Sequence, residues 1–460
     1  MPKGTISYAA KAKAAQLAYP KEFFVNSSGR LNCKLCGVTV CADKAFNYES
    51  HRKSQKHQNL LNASTNQQPI SDFKPIDESS WPYEVTKAFL QSDIPLHKLN
   101  AEPLQKLFKS IKKPLPSQTN SWKCVDLIAE SQMRLIKETV AERKVFLVVD
   151  ESDIKGQKYV NSLIGTIDNP SVTYLVGCKP IDSSPNAAMI CQVIDDILKD
   201  LSISRENFVL LLSDAARYMI SAGTTLKVMY PNLFTVTCIA HLLHNCALRV
   251  KSHFQDVDYL IASIKAATVK NKSRRDLFRE IGQPPQPVVT RWGSWIEAAL
   301  YYAENIIKVT EIVNSFEDDG VLVRKAKESL ACPTLRSSLL SIYRCYSKLS
   351  ELIGKLESTK YTIEDAIRDM PALDFGEDVC GLKLYLDKRL ESNEIFAIHQ
   401  MKNQTVSPKT YALLLNCQPT SCSVERSFSL LGKLLAKDRN FNVANVQKYI
   451  CVLYNKFLDF

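Results

Sequence analysis

The chain has 460 residues, 45% hydrophobic and 23% charged, a globular balance with length enough for two to four domains. Net charge is +11, and residues 1–74 hold 11 Lys and Arg against 4 Asp and Glu, which directs the basic end toward a polyanion. No apolar run reaches the roughly 18 residues of a membrane span, and no secretory leader is expected. The fourteen cysteines are scattered, which fits free thiols in cytosol or nucleus better than a disulfide framework.

Lys21-Glu22-Phe23-Phe24 opens a stretch that reads as a strand entering a hairpin. Cys33, Cys36, His51 and His57 follow with the spacing C-x2-C-x14-H-x5-H. Two thiolates and two imidazoles close a tetrahedron around Zn2+, which implies a structural ion, with Cys41 left as a spare thiol. The histidines suit one face of a helix beginning near Asp43, whose last turn must loosen for His57 to reach the ion. Lys44, Arg52, Lys53 and Lys56 surround the ligands. The last three are expected on the helix that carries His51, facing double-stranded DNA. The finger takes residues 1–60.

Residues 61–82 are polar and contain Pro, and read as a linker. Residues 83–110 and 122–143 show helical periodicity, separated by a segment with Pro114 and Pro116, and form connecting helices across 83–143.

Val145–Val149 is a wholly apolar run that ends in Asp150, as a central strand should. Residues 158–166 and 172–178 form two more strands joined at Asp168-Asn169-Pro170. A helix follows near 186–201. Phe208–Leu212 is a fourth strand ending in Ser213-Asp214, then come a helix over 215–229, a strand from Leu233 to Cys238, and a helix from about 240. Three strands in a meander, then alternating helix and strand, is the order of an α/β ribonuclease H-like core, expected across 144–250. In that fold strands one and four are neighbours, so Asp150 and Asp214 converge. Paired carboxylates repel unless a cation lies between them, and Mg2+ there supports phosphoryl transfer. A strand-end aspartate is also a common helix cap or turn former, and Asp214 could simply cap the next helix.

Several of these motifs resemble those of hAT transposases, and they come in that family's order: Asp150-x2-Asp153-x2-Gly156 with Asn161-x-Leu163; Ser213-Asp214-Ala-Ala-Arg-Tyr-Met219; Cys238-x2-His241-x2-His244-Asn245; Thr290-Arg291-Trp292-Gly-Ser294; and Ser423-x-Glu425-Arg426-Ser-Phe428-Ser429. The resemblance covers roughly 145–460. It implies a metal-binding triad of Asp150, Asp214 and Glu425, with Asp153 the competitor for Asp150, and it puts Arg291 and Trp292 near DNA. The family often has small residues or an aromatic where this chain has Glu151-Ser152. His241 is expected to face DNA or to be satisfied at the sheet edge; zinc held by Cys238, His241, His244 and Cys246 is the alternative. The finger is similar to BED-type fingers, and residues 17–135 resemble the CGG triplet repeat-binding family, through Cys33-x2-Cys36, the His51/Lys56-His57 ending and Ala88-Phe89-Leu90-x3-Ile94-Pro95-Leu96-x-Lys98. That likeness implies nuclear double-stranded DNA binding with effects on transcription.

Between Asp214 and Glu425 lie 210 residues, too many for a loop, and 251–405 read as an all-helical insertion. Residues 406–460 carry the last catalytic helix, expected over 420–436 with Val424, Phe428, Leu431 and Leu435 on one face. The apolar cluster from Tyr449 to Phe457 must be buried, either in the domain or across subunits, and the family likeness implies a homo-oligomer through this region. The readings are a DNA-binding regulator, an active cut-and-paste transposase, and a scaffold that uses the fold only for assembly.

Overall fold

A computed structural model describes residues 7–65, 77–181, 184–288, 293–317, 320–356, 358, 360–435 and 443–457. The chain forms two units, Met1–Ile76 and Asp77–Phe460.

The first unit opens with a helix that the sequence reading did not assign, α1 (Tyr8–Ala18), capped by the Ser7 side chain. Strands β1 (Phe23–Val25) and β2 (Leu31–Cys33) pair antiparallel, with Phe23 opposite Cys33. Asn26 drives the turn between them, since its side chain accepts from the Ser28 and Arg30 amides, and Gly29 supplies the positive φ of 72°. Helices α2 (Ala45–Lys53) and α3 (Gln55–Thr65) follow. Ala12, Ala15, Phe23, Leu31, Cys33, Val40 and Ala42 form its small core, so α1 packs as part of the module.

The second unit starts with α4 (Trp81–Gln91), a 3-10 turn at Leu96–Asn100, α5 (Glu102–Ser110) and the long α6 (Gln118–Val140). The first connecting stretch is therefore broken in two, because Asp93 takes a positive φ and Pro95 follows. Strands β3 (Val145–Ile154), β4 (Gln157–Thr166) and β5 (Asn169–Ile181) form the meander. Then come α7 (Ala187–Asp200), β6 (Phe208–Ser213), α8 (Arg217–Met229), β7 (Phe234–Thr237) and α9 (Ile239–His253). The sheet order is β5-β4-β3-β6-β7, antiparallel across β3, β4 and β5 and parallel across β3, β6 and β7. The first and fourth strands of this sheet are thus neighbours.

The apolar runs account for the packing. Val145, Leu147, Val149, Phe208 and Leu211 bury against Ile136 and Val140 of α6, Ile190, Val193, Ile194 and Leu198 of α7, and Met219, Ala222 and Leu226 of α8. At about 25 cal/mol per Å2 of apolar area, a cluster of this size is the main force holding the unit.

Two details differ from the expected strands. β3 does not end at Asp150 but runs four residues on, to a tight hairpin at Lys155 and Gly156, both with positive φ. The β4–β5 connection is tighter than expected, and Asn169 already belongs to β5.

An all-helical stretch follows: α10 (Gln255–Thr268), α11 (Lys272–Asp276), α12 (Ser294–Asn314), α13 (Val321–Leu330), α14 (Leu335–Leu356), α15 (Ile363–Asp369), α16 (Leu382–Glu391) and α17 (Ile395–His399). Trp295 is a packing residue, buried with its indole N–H donating to Asp258. Helices α18 (Pro408–Leu415), α19 (Cys422–Leu434) and α20 (Val443–Tyr454) complete the unit. α20 packs on β5 and α6, burying Tyr449, Ile450, Val452 and Leu453 within this unit, whereas Phe457, expected to be buried with them, lies past the helix and is exposed. Asn455 accepts from the Leu175 amide and donates to its carbonyl, so a side chain satisfies the backbone of β5 there. All fourteen cysteines are free thiols, and no helix among the described residues is long and apolar enough to cross a membrane.

Candidate metal centres

Two clusters of metal-type side chains stand out among the described residues: Cys33, Cys36, His51 and His57 in the first unit, and Asp150, His241 and Glu425 in the second.

In the first cluster, β2 ends in Cys33 and a knuckle brings Cys36 back, with the Cys36 amide donating to the Cys33 sulfur at 3.3 Å. His51 lies in the last turn of α2. The helix then stops: Ser54 is extended, with ψ 142°, and α3 starts afresh at Gln55. A full break, not a loosened turn, is how five residues fit between the histidines. His57 Nδ1 lies 3.4 Å from the Cys33 sulfur and 3.5 Å from that of Cys36. Zinc bound at about 2.3 Å to sulfur and about 2.0 Å to nitrogen in a tetrahedron separates such atoms by about 3.5 Å. His51 Nε2 is buried with no hydrogen-bond partner, as a fourth ligand would be. The donor set and its geometry therefore fit a zinc ion.

Glu22 completes this cluster, and sequence reading missed it. Its carboxylate is 2.8 Å from His57 Nε2 and takes both a 2.8 Å and a 2.9 Å bond from the Arg52 guanidinium. The Arg52 bonds chiefly hold the Glu22 carboxyl below its ordinary pKa, against the effect of burial. Arg52 also lies 3.7 Å above the Tyr19 ring. Its guanidinium is thus engaged by Glu22 and Tyr19 within the module, whereas it was expected to face DNA. Lys44, Lys53 and Lys56 are exposed, although Lys56 belongs to α3 and not to the helix carrying His51. The available signal for Glu22 was that it is the only acid before Asp43.

The second cluster forms where the parallel half of the sheet runs out. β3 pairs with β6 only as far as Val148, so Asp150 emerges just beyond that ladder while Asp214 directly follows β6. Asp150 is 3% exposed. Its Oδ1 accepts from the Glu151 amide at 2.8 Å, and its Oδ2 is buried without a partner. Burial, with Glu425 and Asp214 adding to it, pushes the Asp150 carboxyl up to about 7 despite His241 nearby. Asp153 is exposed and accepts from the Gly156 amide at the hairpin, where it forms the turn.

Glu425 returns from far along the chain because the segment before α19 is pinned to the β7–α9 junction. The Ile239 amide donates to the Pro419 carbonyl, and the Ser421 amide to the Cys238 sulfur. The Asn161 side chain of β4, opposite Asp150 in register, donates to Ser427 of α19 at 2.7 Å. Val424, Phe428 and Leu431 turn inward, and Glu425 at the border of that face lies 3.8 Å from His241 Nε2. Burial chiefly raises the Glu425 carboxyl, as it does that of Asp214. Burial disfavours an imidazolium at His241, but the Cys238 hydrogen bond, with Cys238, Asp150 and Glu425 charge, prevails and raises it to about 9.

Asp214 is charge-coupled to this group but lies outside the close set, and its Oδ1 accepts from the Ala216 amide at 3.1 Å. It thus also performs the turn-forming role. Glu151, the departure at the first block, is paired with Lys158 at 2.9 Å and accepts from the Tyr218 hydroxyl. Cys238, His244 and Cys246 join no metal-type group among the described residues. Arg291 and Trp292 lie outside the described residues.

Residues 119–266 match a family model described as a domain of unknown function, DUF659. That segment runs from the start of α6 into α10 and contains Asp150, Asp214 and His241. None of the curated proteins matches the chain. Among solved structures, the chain is similar to one described as the crystal structure of the Mos1 strand transfer complex. The two are 10% identical, with a TM-score of 0.16 over 64% of this chain and 91% of the other.

Proposed function

We propose that this is a double-stranded DNA-binding protein on the hAT transposase plan, with a zinc-held BED-type finger and a ribonuclease H-like core able to perform metal-dependent phosphoryl transfer. The buried, unpartnered Oδ2 of Asp150 facing a shared acidic pocket carries this reading. The strand order and the neighbouring β3 and β6 agree with it. Asp150 and Glu425 set two carboxylates against one imidazole, and a divalent cation relieves the remaining cost of burying them. Asp150 and Glu425 would hold Mg2+, with Asp214 as a third carboxylate near the set. Such an ion activates a nucleophile and stabilises a leaving oxygen. The chain's own residues do the rest: His241 balances the Asp150 and Glu425 charges, and Asn161 with Ser427 fixes α19 against the sheet. Lys44, Lys53 and Lys56 would contact DNA phosphates, with Arg291 and Trp292 as further contacts. The proposed address is the nucleus. Self-association through the C-terminal region would need surface other than Tyr449, Ile450, Val452 and Leu453, which are already buried.

One observation favours a second reading, a transcriptional regulator of the CGG-repeat-binding kind that does not cut. The Asp214 carboxylate is partly committed to the Ala216 amide and lies outside the close set. The deciding experiment is strand cleavage and transfer by the full chain with Mg2+ or Mn2+, on DNA flanking its own coding sequence. The first reading expects products that disappear in Asp214→Ala. Products that survive this change contradict the triad, and DNA binding without products supports the regulator.

A further inference from the structure

We propose that Glu22 is a positioning residue for the finger's metal, acting through His57, and that Arg52 serves Glu22 instead of DNA. This rests on the reading that Cys33, Cys36, His51 and His57 bind zinc. An imidazole can ligate through either nitrogen, and the hydrogen bond made by the other nitrogen selects which one. His57 is fully buried, and its ring stacks on Phe23 at 6.3 Å between centroids and 25° between planes. Nδ1 faces both sulfurs, and Nε2 has Glu22 Oε2 at 2.8 Å. Donating Nε2–H to Glu22 leaves the Nδ1 lone pair free for the ion. The Glu22 backbone is held by the Tyr19 carbonyl and the Lys34 amide, but its carboxylate must still be aimed at His57, 35 residues away. Arg52 aims it, gripping both carboxylate oxygens from the end of α2 while its guanidinium lies over Tyr19. The chain Tyr19–Arg52–Glu22–His57 therefore links the strand side of the module to the helix side, and ends where His57 Nδ1 faces the two sulfurs.

The test uses the full chain as wild type, Glu22→Ala and Glu22→Gln, with Cys36→Ser as the metal-site control. Zn2+ affinity is measured by chelator competition, and the environment of the His57 ring by 15N-histidine NMR of the zinc-loaded protein. Glu22→Ala should bind Zn2+ about 10- to 100-fold more weakly, the range for removing such a partner. Glu22→Gln keeps an oxygen that accepts from Nε2–H and should recover most of that loss. In wild type and Glu22→Gln the Nε2–H signal should be protected from exchange with water; in Glu22→Ala it should exchange rapidly. Unchanged Zn2+ affinity in Glu22→Ala overturns the inference, as does Glu22→Gln binding as weakly as Glu22→Ala. A wild type with no Zn2+ site sensitive to Cys36→Ser would instead remove the zinc reading on which it stands.

Discussion

The two units arrange their metal-type side chains in opposite ways. The finger has a core of seven buried apolar residues, and its four ligand atoms face one another across a gap that an ion would fill. Modules of this size draw much of their folding free energy from the metal. The α/β unit has a far larger continuous core, and its acidic pocket sits where the β3–β6 ladder ends. There the fold supplies the stability and the pocket reduces it, since Asp150 is buried beside other carboxylates. On the proposed reading, metal would make the structure in the first case, and in the second the structure would prepare a place for metal.

The largest expected effect separates the units outright. Chelating zinc, or changing Cys36→Ser, should unfold the finger and abolish DNA binding, while the melting of the α/β unit stays unchanged. Structural zinc contributes about 10 kcal/mol or more in such modules. DNA binding that persists after chelation breaks the comparison.

Next in size is the cost of the acidic pocket. Folded Asp150 keeps its proton to about pH 7, whereas the unfolded chain releases it near pH 3.8. The folded state therefore binds more protons in that window, and this contribution to stability falls as pH rises from about 4 through 7. The shift corresponds to at most about 4 kcal/mol. Without divalent metal, Asp150→Asn should melt higher than wild type at pH 8, and Mg2+ or Mn2+ should stabilise only the wild type. Equal melting at pH 8 contradicts the assignment of this cost to Asp150.

A smaller effect tests what holds the α/β unit. Asn455→Ala leaves the Leu175 amide and carbonyl unsatisfied and should cost about 2 kcal/mol, read as an earlier urea midpoint without change in zinc content. The smallest effect concerns the finger's surface. At saturating Zn2+, Lys53→Ala and Lys56→Ala should each reduce the salt dependence of DNA binding by about one charge, and Arg52→Ala should leave it unchanged.

The sequence disclosed the strands of the sheet because their cores are short, unbroken apolar runs, as at Val145–Val149 and Phe208–Leu212. It hid the extension of β3, since Glu151-Ser-Asp carries no apolar signal and pairing with β4 alone sustains it. It hid α1, an alanine-rich segment that buries only Ala12 and Ala15. The cluster of Cys33, Cys36, His51 and His57 was legible through spacing, whereas the break at Ser54 and the place of Glu22 beside His57 depend on contacts between distant segments. The assembly of Asp150 with Glu425 was legible only through resemblance. Its physical cause, the Pro419 and Ser421 bonds to the start of α9, leaves no local pattern. The Arg52 contact with Glu22 was also not legible, because a basic residue on a finger helix looks the same whether its partner is a phosphate or a carboxylate.

The most direct measurement is Mn2+ binding to the zinc-loaded full chain, followed by electron paramagnetic resonance, in wild type and in Asp150→Ala and Glu425→Ala. The account predicts a Mn2+ site in the wild type that both substitutions remove while the zinc content stays the same. Mn2+ bound equally well by all three proteins would contradict it.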